Sequence, residues 1–267
     1  MSQEALTYYL IKQDKIPILL DYFRLYDPTT IYTFDVMNAT SRTLWFKPRA
    51  DIPYSSSIVQ VGSGARATIN LTLNLTKKPD LTDQTFNVYL DICSDSACSS
   101  IIQTDQFPVT VYWRKLTSIN IINRFTFDDG TTQNWGVACG TCVLKVSDSS
   151  YITPNYSLLV NYPSLTASAC RYTLSSPAIS TQPLNDVFLA FLALANQYYF
   201  RKFSIYIDNE LRSFSYLNAR DKWLYFGYYL GSIKANSTMS MTVEADNPDK
   251  YSYTNFFFDD ITFFTVP

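Results

Sequence analysis

Histidine is absent from all 267 residues. That absence excludes Ser-His-Asp and Cys-His catalysis and every metal site that needs an imidazole. Charge is also scarce: Asp, Glu, Lys and Arg make up 16% of the chain and leave a formal net charge of −2. There is no run of Lys or Arg of the kind that tracks phosphates, so nucleic acid is not an expected partner. Only 7 glycines serve many turns, so the loops are expected to be stiff and carried by Asn, Asp, Ser and Pro. The longest apolar run, Val187 to Ala195, is far shorter than the ~20 residues of a transmembrane helix and reads as a buried strand. The opening residues, with Glu4 ahead of any basic residue and with Lys12, Asp14 and Lys15 breaking the apolar groups, do not resemble a secretory signal. Met1 therefore belongs either to a trimmed chain or to a protein that reaches the outside without one.

What is present is alternation with period two. Ile69, Leu71, Leu73 and Leu75 occupy every second position of "ATINLTLNLT", with Thr68, Asn70, Thr72, Asn74 and Thr76 between them. Gln84–Cys93 and Phe107–Trp113 alternate in the same way, as do Ser157–Val160, Phe203–Asp208, Met239–Val243 and Phe256–Phe264. Many short strands at this spacing, parted by Pro and Asn turn signals, predict an all-β chain. Its length suits two β-sandwich domains. Their boundary is expected near Arg114 to Ile119, giving residues 27–116 and 117–267. Residues 1–26 are an N-terminal extension or first strands, in which Tyr8–Ile11 and Ile16–Leu20 form a strand pair or lend a strand to a neighbouring subunit.

The second half, over residues 119 to 267, resembles the galactose-binding-like jelly rolls of carbohydrate-binding modules. Four stretches carry the likeness: "RFTFDDGTTQNW" (Arg124 to Trp135), "YITPNYSLLVNY" (Tyr151 to Tyr162), "KFSIYIDNELRSF" (Lys202 to Phe214) and "NFFFDDITFF" (Asn255 to Phe264). The first half, over residues 30 to 114, is similar to immunoglobulin-like envelope domains through Asn38–Phe46 and Val61–Thr72. The first likeness implies a structural calcium between Asp128, Asp129, Asp259 and Asp260, since hard cations gather carboxylates; turn and strand-end charges are the alternative. It also implies sugar stacking on aromatic rings. On Lys222–Leu230, Trp223, Tyr225 and Tyr229 share one face with Gly227, and Tyr206 is a candidate to join them. The alternative is that both faces of this strand are buried.

Five cysteines suggest an oxidising compartment. Cys93 and Cys98 suit a disulfide across a tight turn. Of Cys139, Cys142 and Cys170, a bridge from Cys142 or Cys139 to Cys170 is expected ahead of Cys139–Cys142, with one thiol left over. Sequons stand at Asn38, Asn70, Asn74, Asn155 and Asn236. Asn70 and Asn74 point to the same face, so the uncharged wall is either glycan-bearing or simply β-compatible. No paired-carboxylate signature of glycoside hydrolysis is visible. These features read as a non-catalytic surface protein, a virion component or envelope or filament subunit that contacts other copies of itself. The alternative is a carbohydrate-binding module or lectin.

Overall fold

Period-two alternation becomes antiparallel pairing throughout the computed structural model. It describes residues 7–9, 14–22, 29–139, 141–152, 154–163, 169–196, 199–219, 221–246 and 253–267. Leu10 and Ile11 of the expected first strand lie outside these. The chain divides into two compact units, Met1–Ile16 with Pro28–Tyr112, and Pro17–Asp27 with Trp113–Pro267. The division therefore falls between Tyr112 and Trp113 rather than at 116/117, and the expected N-terminal extension is split between the units.

The first unit is built from β1 (Thr7–Tyr9), β2 (Lys15–Leu19), β3 (Thr29–Met37), β4 (Leu44–Ala50), β5 (Tyr54–Ser56), β6 (Val59–Val61), β7 (Arg66–Asn74), β8 (Gln84–Cys93) and β9 (Ile101–Arg114). One sheet has the order β1-β3-β7-β5 and the other β2-β9-β8-β4-β6. Strands β2 and β9 each run on into the second unit. The alternation in β7 is obeyed: Ile69, Leu71 and Leu73 are buried, Thr68 and Thr72 are half-buried, and Asn70 and Asn74 are exposed. Phe34 of β3 meets Phe107 of β9 with ring centroids 5.8 Å apart, which ties the inner faces of the two sheets together.

The second unit adds β10 (Asn120–Phe125), β11 (Gly136–Ala138), β12 (Val143–Ser147), β13 (Ser157–Pro163), β14 (Ala169–Ala178), β15 (Leu184–Asn196), β16 (Tyr199–Ile207), β17 (Glu210–Ala219), β18 (Leu224–Ile233), β19 (Thr238–Asp246) and β20 (Tyr253–Thr265). One sheet runs β12-β13-β20-β15-β18, with β10 also on β20, and the other runs β11-β14-β19-β16-β17. The run β13 to β20 thus pairs first with last, third with sixth, second with seventh and fourth with fifth, which is the jelly-roll winding. Its core is aromatic and aliphatic, with Phe191, Phe203, Phe226, Phe256 and Phe258 among the buried residues. Phe191 stacks on Phe226 at 5.0 Å, and Phe203 meets Phe226 at 4.5 Å.

In β20 the alternation slips at Asp259-Asp260. Leu192 pairs with Asp259, while Ala190 pairs with Thr262, so an extra residue stands in β20 as a β-bulge. Asp260 takes a left-handed φ of 48°. The bulge resets the inward positions from Phe256 and Phe258 to Ile261 and Phe263.

Disulfides join Cys93 to Cys98 and Cys139 to Cys142. The second pairing corrects the expected bridge to Cys170. Cys139 and Cys142 stand between β11 in one sheet and β12 in the other, with Cα atoms 5.6 Å apart, inside the usual disulfide range. Cys170 instead lies in β14, buried in the core beside Tyr172. Peptide mapping of the non-reduced protein is expected to give Cys93–Cys98 and Cys139–Cys142 links, with Cys170 alkylated only after unfolding. Any link that includes Cys170 contradicts this arrangement.

Candidate functional site

The outer face of β18 was the expected sugar platform, and the structure fills part of it with the chain's own residues. Tyr225, Gly227 and Tyr229 face away from the core, while Phe226, Tyr228 and Leu230 belong to it. Over the outer face runs the segment Pro17–Tyr22. The Tyr225 hydroxyl donates to the Pro17 carbonyl at 2.9 Å and accepts from the Leu19 amide at 3.2 Å. The Tyr22 ring stacks on Tyr225 at 6.4 Å. Burial pushes the Tyr225 phenol well above its ordinary value, so the group stays a neutral donor. Gly227 makes this approach possible, because a Cβ there would collide with the Pro17 carbonyl oxygen and touch the Pro17 ring.

Further contacts hold the segment. The Asp21 carboxylate accepts the Leu116 amide at 2.7 Å, and Arg124 Nη2 donates to the Tyr22 hydroxyl at 3.4 Å. The same guanidinium grips the buried Asp260 through two bonds of 2.6 and 2.7 Å. Burial pushes the Asp260 carboxyl up to about 7, the nearby Asp21 charge adds to the rise, and a bond from the Thr262 hydroxyl opposes it. A two-pronged cation at this spot keeps the carboxylate tenable.

Tyr229 donates to Asp186 at 2.7 Å and meets Phe188 at 5.2 Å. Trp223 is half-buried and precedes β18. Tyr206 stands apart from these three: it lies on β16 in the opposite sheet, so the four rings expected to share one strip do not. The winding of the jelly roll is the reason, since consecutive strands β17 and β18 belong to different layers.

The four aspartates expected to hold calcium are likewise not brought together. Asp128 and Asp129 are exposed, and Asp129 accepts from the Thr131 amide and hydroxyl, both at 2.9 Å. Asp259 is buried and accepts the Ile152 and Asp260 amides, both at 2.7 Å. Among the described residues no group of three or more His, Cys, Asp or Glu side chains could hold a metal ion. The bulge explains the buried pair, whose carboxylates satisfy the amides and the arginine around it.

Among the sequon residues, Asn38 stands apart. Its side chain is buried; Nδ2 donates to the Arg42 and Val61 carbonyls at 2.8 and 2.9 Å, and Oδ1 accepts the Thr40 amide and hydroxyl. It ties the loop after β3 to β6. Asn70, Asn74, Asn155 and Asn236 are exposed.

Sequence reasoning missed the outer face of the other sheet. Register places Thr173, Thr242, Ser204 and Phe214 in one row across β14, β19, β16 and β17. Arg171, Glu244 and Lys202 form the row on one side, and Ser175, Ser240, Tyr206 and Leu211 the row on the other. The middle row is covered, with Thr242, Ser204 and Phe214 exposed by only 6%, 4% and 3%, while residues of both flanking rows reach solvent. Lys202 Nζ lies 5.3 Å from the Phe214 ring centre, and the Thr173 and Thr242 hydroxyls are 3.1 Å apart. Alternation in β16 and β19 carried this signal, because each strand sets a polar residue between buried apolar ones.

No family model and no curated protein matches this chain. Among solved structures it is similar to the CBM22-1 xylan-binding domain from Paenibacillus barcinonensis, at 14% identity and TM-score 0.39, over 56% of this chain and 96% of that one. It is also similar to TmCBM61 in complex with β-1,4-galactotriose, at 13% identity and TM-score 0.40, over 52% and 94%. A third is the K1 cleaved adhesin domain of Lys-gingipain from Porphyromonas gingivalis W83, at 10% identity and TM-score 0.39, over 54% and 98%. Scores this low carry no argument about what this chain binds.

Two outcomes follow from the covered face. Gly227→Ala is expected to destabilise the protein by about 1–3 kcal/mol in urea unfolding, and an unchanged midpoint contradicts the seating of Pro17. Arg124→Met leaves the Asp260 carboxyl buried without its cation, at an expected cost of about 3–5 kcal/mol. The folded carboxyl, already raised by burial, then titrates higher still above the unfolded one, so the native state holds a proton that the unfolded state releases, and stability falls as pH rises between the two values. The gap between wild type and variant is expected to be wider at pH 8 than at pH 5; equal gaps contradict the pairing.

Proposed function

We propose that this chain is a non-catalytic, surface-exposed binding protein whose second unit holds carbohydrate on the outer face of the sheet β11-β14-β19-β16-β17. The observation that carries the reading is the three-row surface just described: a covered floor of hydroxyls and one ring between two solvent-facing rows. Ser175, Ser240 and the half-buried Thr173 offer the donors and acceptors that sugar hydroxyls need, and Tyr206 offers a ring for the apolar face of a pyranose. Arg171, Glu244 and Lys202 add charged partners at one end, which strengthen bonds to neutral hydroxyls. The two disulfides support an extracellular, cell-surface or virion-surface setting. The strand orders of the first unit support its reading as an immunoglobulin-like domain, with four strands facing a sheet that contains the β4, β8 and β9 triplet.

A second reading, a virion, envelope or filament component that contacts copies of itself, is favoured by one feature. Ile101 and Ile102, at the start of β9, are 54% and 39% exposed, and adjacent apolar side chains in water suit a contact surface.

Binding to a glycan array, followed by titration calorimetry with a responding oligosaccharide, tests the first reading. Tyr206→Ala is expected to weaken binding about tenfold or more, in line with about 1.4 kcal/mol of stacking, with the unfolding midpoint unchanged. Binding that survives Tyr206→Ala and disappears in Trp223→Ala contradicts the placement.

A further inference from the structure

We propose that the outer face of the sheet β1-β3-β7-β5 is an N-glycosylation surface whose acceptors are Asn70 and Asn74, and that Asn38 carries no glycan in the folded protein. Three sequons of the first unit have the same Asn-x-Thr form, Asn38-Ala-Thr40, Asn70-Leu-Thr72 and Asn74-Leu-Thr76. Sequence treats them as equals, and geometry separates them. The amide nitrogen of Asn38, the atom to which a sugar would be joined, is buried and already donates to two backbone carbonyls. A glycan there takes the place of one of the two N–H hydrogens, so at least one of those bonds is lost, and it forces a large polar group into the loop between β3 and β4.

Asn70 and Asn74 are in the opposite condition. Both are exposed on β7, on the face turned away from the buried Ile69, Leu71 and Leu73. Asn70 accepts a bond from the Thr33 hydroxyl at 3.1 Å through its oxygen, which steadies the side chain without using its nitrogen. The sequon hydroxyls are also in reach, with Thr72 half-buried and Thr76 exposed. Four residues along a strand separate the two acceptors by about 13 Å, enough for two independent glycans on one side.

The surroundings supply a reason. Across β7 from Asn70 to Asn74 the neighbouring positions on this face are Thr33 and Ile31 of β3 and Ser55 of β5, with charge confined to Asp35 and Arg66 at the far end. β5, only three residues long, is the adjoining edge. Thr33 is buried and Ile31 half-buried, so the uncharged positions exposed on this face are Asn70 and Asn74 of β7 and Ser55 of the short edge β5, and hydrated sugar supplies there the shield that charge normally provides. The transfer uses a lipid-linked oligosaccharide diphosphate as donor. The Asn Nδ2 forms a bond to the anomeric carbon, the bond from that carbon to the diphosphate oxygen breaks, and the diphosphate leaves with the electron pair while the amide gives up one proton. No oxidant or reductant takes part.

Protein isolated from its native source, digested and deglycosylated enzymatically in water enriched in oxygen-18, tests the assignment by mass spectrometry. The expected result is a label on Asn70, Asn74 or both, with Asn38 unlabelled. Both of these unlabelled, or any label on Asn38, overturns it. As a second readout in the full chain secreted from eukaryotic cells, Asn70→Gln and Asn74→Gln are expected to remove one glycan mass each at every site found occupied. Asn38→Gln is expected to leave the glycan mass unchanged while lowering the unfolding midpoint; a loss of glycan mass from that variant overturns the assignment.

Discussion

A central strand with no polar face has to be covered twice. In β15 the residues Val187, Leu189, Phe191, Ala193 and Ala195 enter the jelly-roll core, and Phe188, Ala190 and Leu192, on the opposite face, are buried as well. In the neighbouring β20, Phe257, Thr262 and Phe264 lie outside the core and are also buried. Leaving Phe188, Leu192 and Phe264 in water would forfeit about 1.5–3 kcal/mol each. Pro17–Tyr22, which belongs with the second unit although the chain reaches it long before the other strands, lies on this outer face at Tyr225 and Gly227.

The cover is specified by shape and by polar bonds, because greasy contact alone is not directional. Gly227 leaves room for a backbone carbonyl, Tyr225 supplies a hydroxyl that both donates to and accepts from the segment, and Arg124 joins the segment to a buried carboxylate in the bulge of β20. These features use up the aromatic residues that composition alone offers as a binding strip. In the other sheet of the jelly roll, the described outer residues that reach solvent include Arg171, Ser175, Lys202, Tyr206, Ser240 and Glu244. Aromatic abundance in this chain thus serves packing first.

Much of this architecture is legible in the residues. Period two marks β7, β8, β13, β16, β19 and β20, and the nine apolar residues from Val187 to Ala195 announce a strand buried on both sides. The second cover is not legible, since nothing local in Ile16-Pro-Ile-Leu-Leu20 says which sheet it meets some two hundred residues later. Nor does the motif Asp259-Asp260 say that it is a bulge; a strict alternation would send the two carboxylates to opposite faces, toward an ion on one side, whereas the extra residue turns them to backbone amides and to Arg124. Cys139-Gly-Thr-Cys142 is ambiguous for a related reason. Its two cysteines stand between strands of two different sheets, which the spacing does not reveal. The sequon at Asn38 is identical in pattern to those in β7, and only tertiary burial tells a structural amide from an exposed one.

Hydrogen exchange of the Leu19 amide tests the central claim most directly, because that amide donates to the Tyr225 hydroxyl of β18. If Pro17–Tyr22 is a fixed cover, Leu19 is expected to exchange as slowly as the amides of β18, and to speed up in Tyr225→Phe without a matching change in β15. Exchange at the rate of an open chain in the unmodified protein would contradict the account.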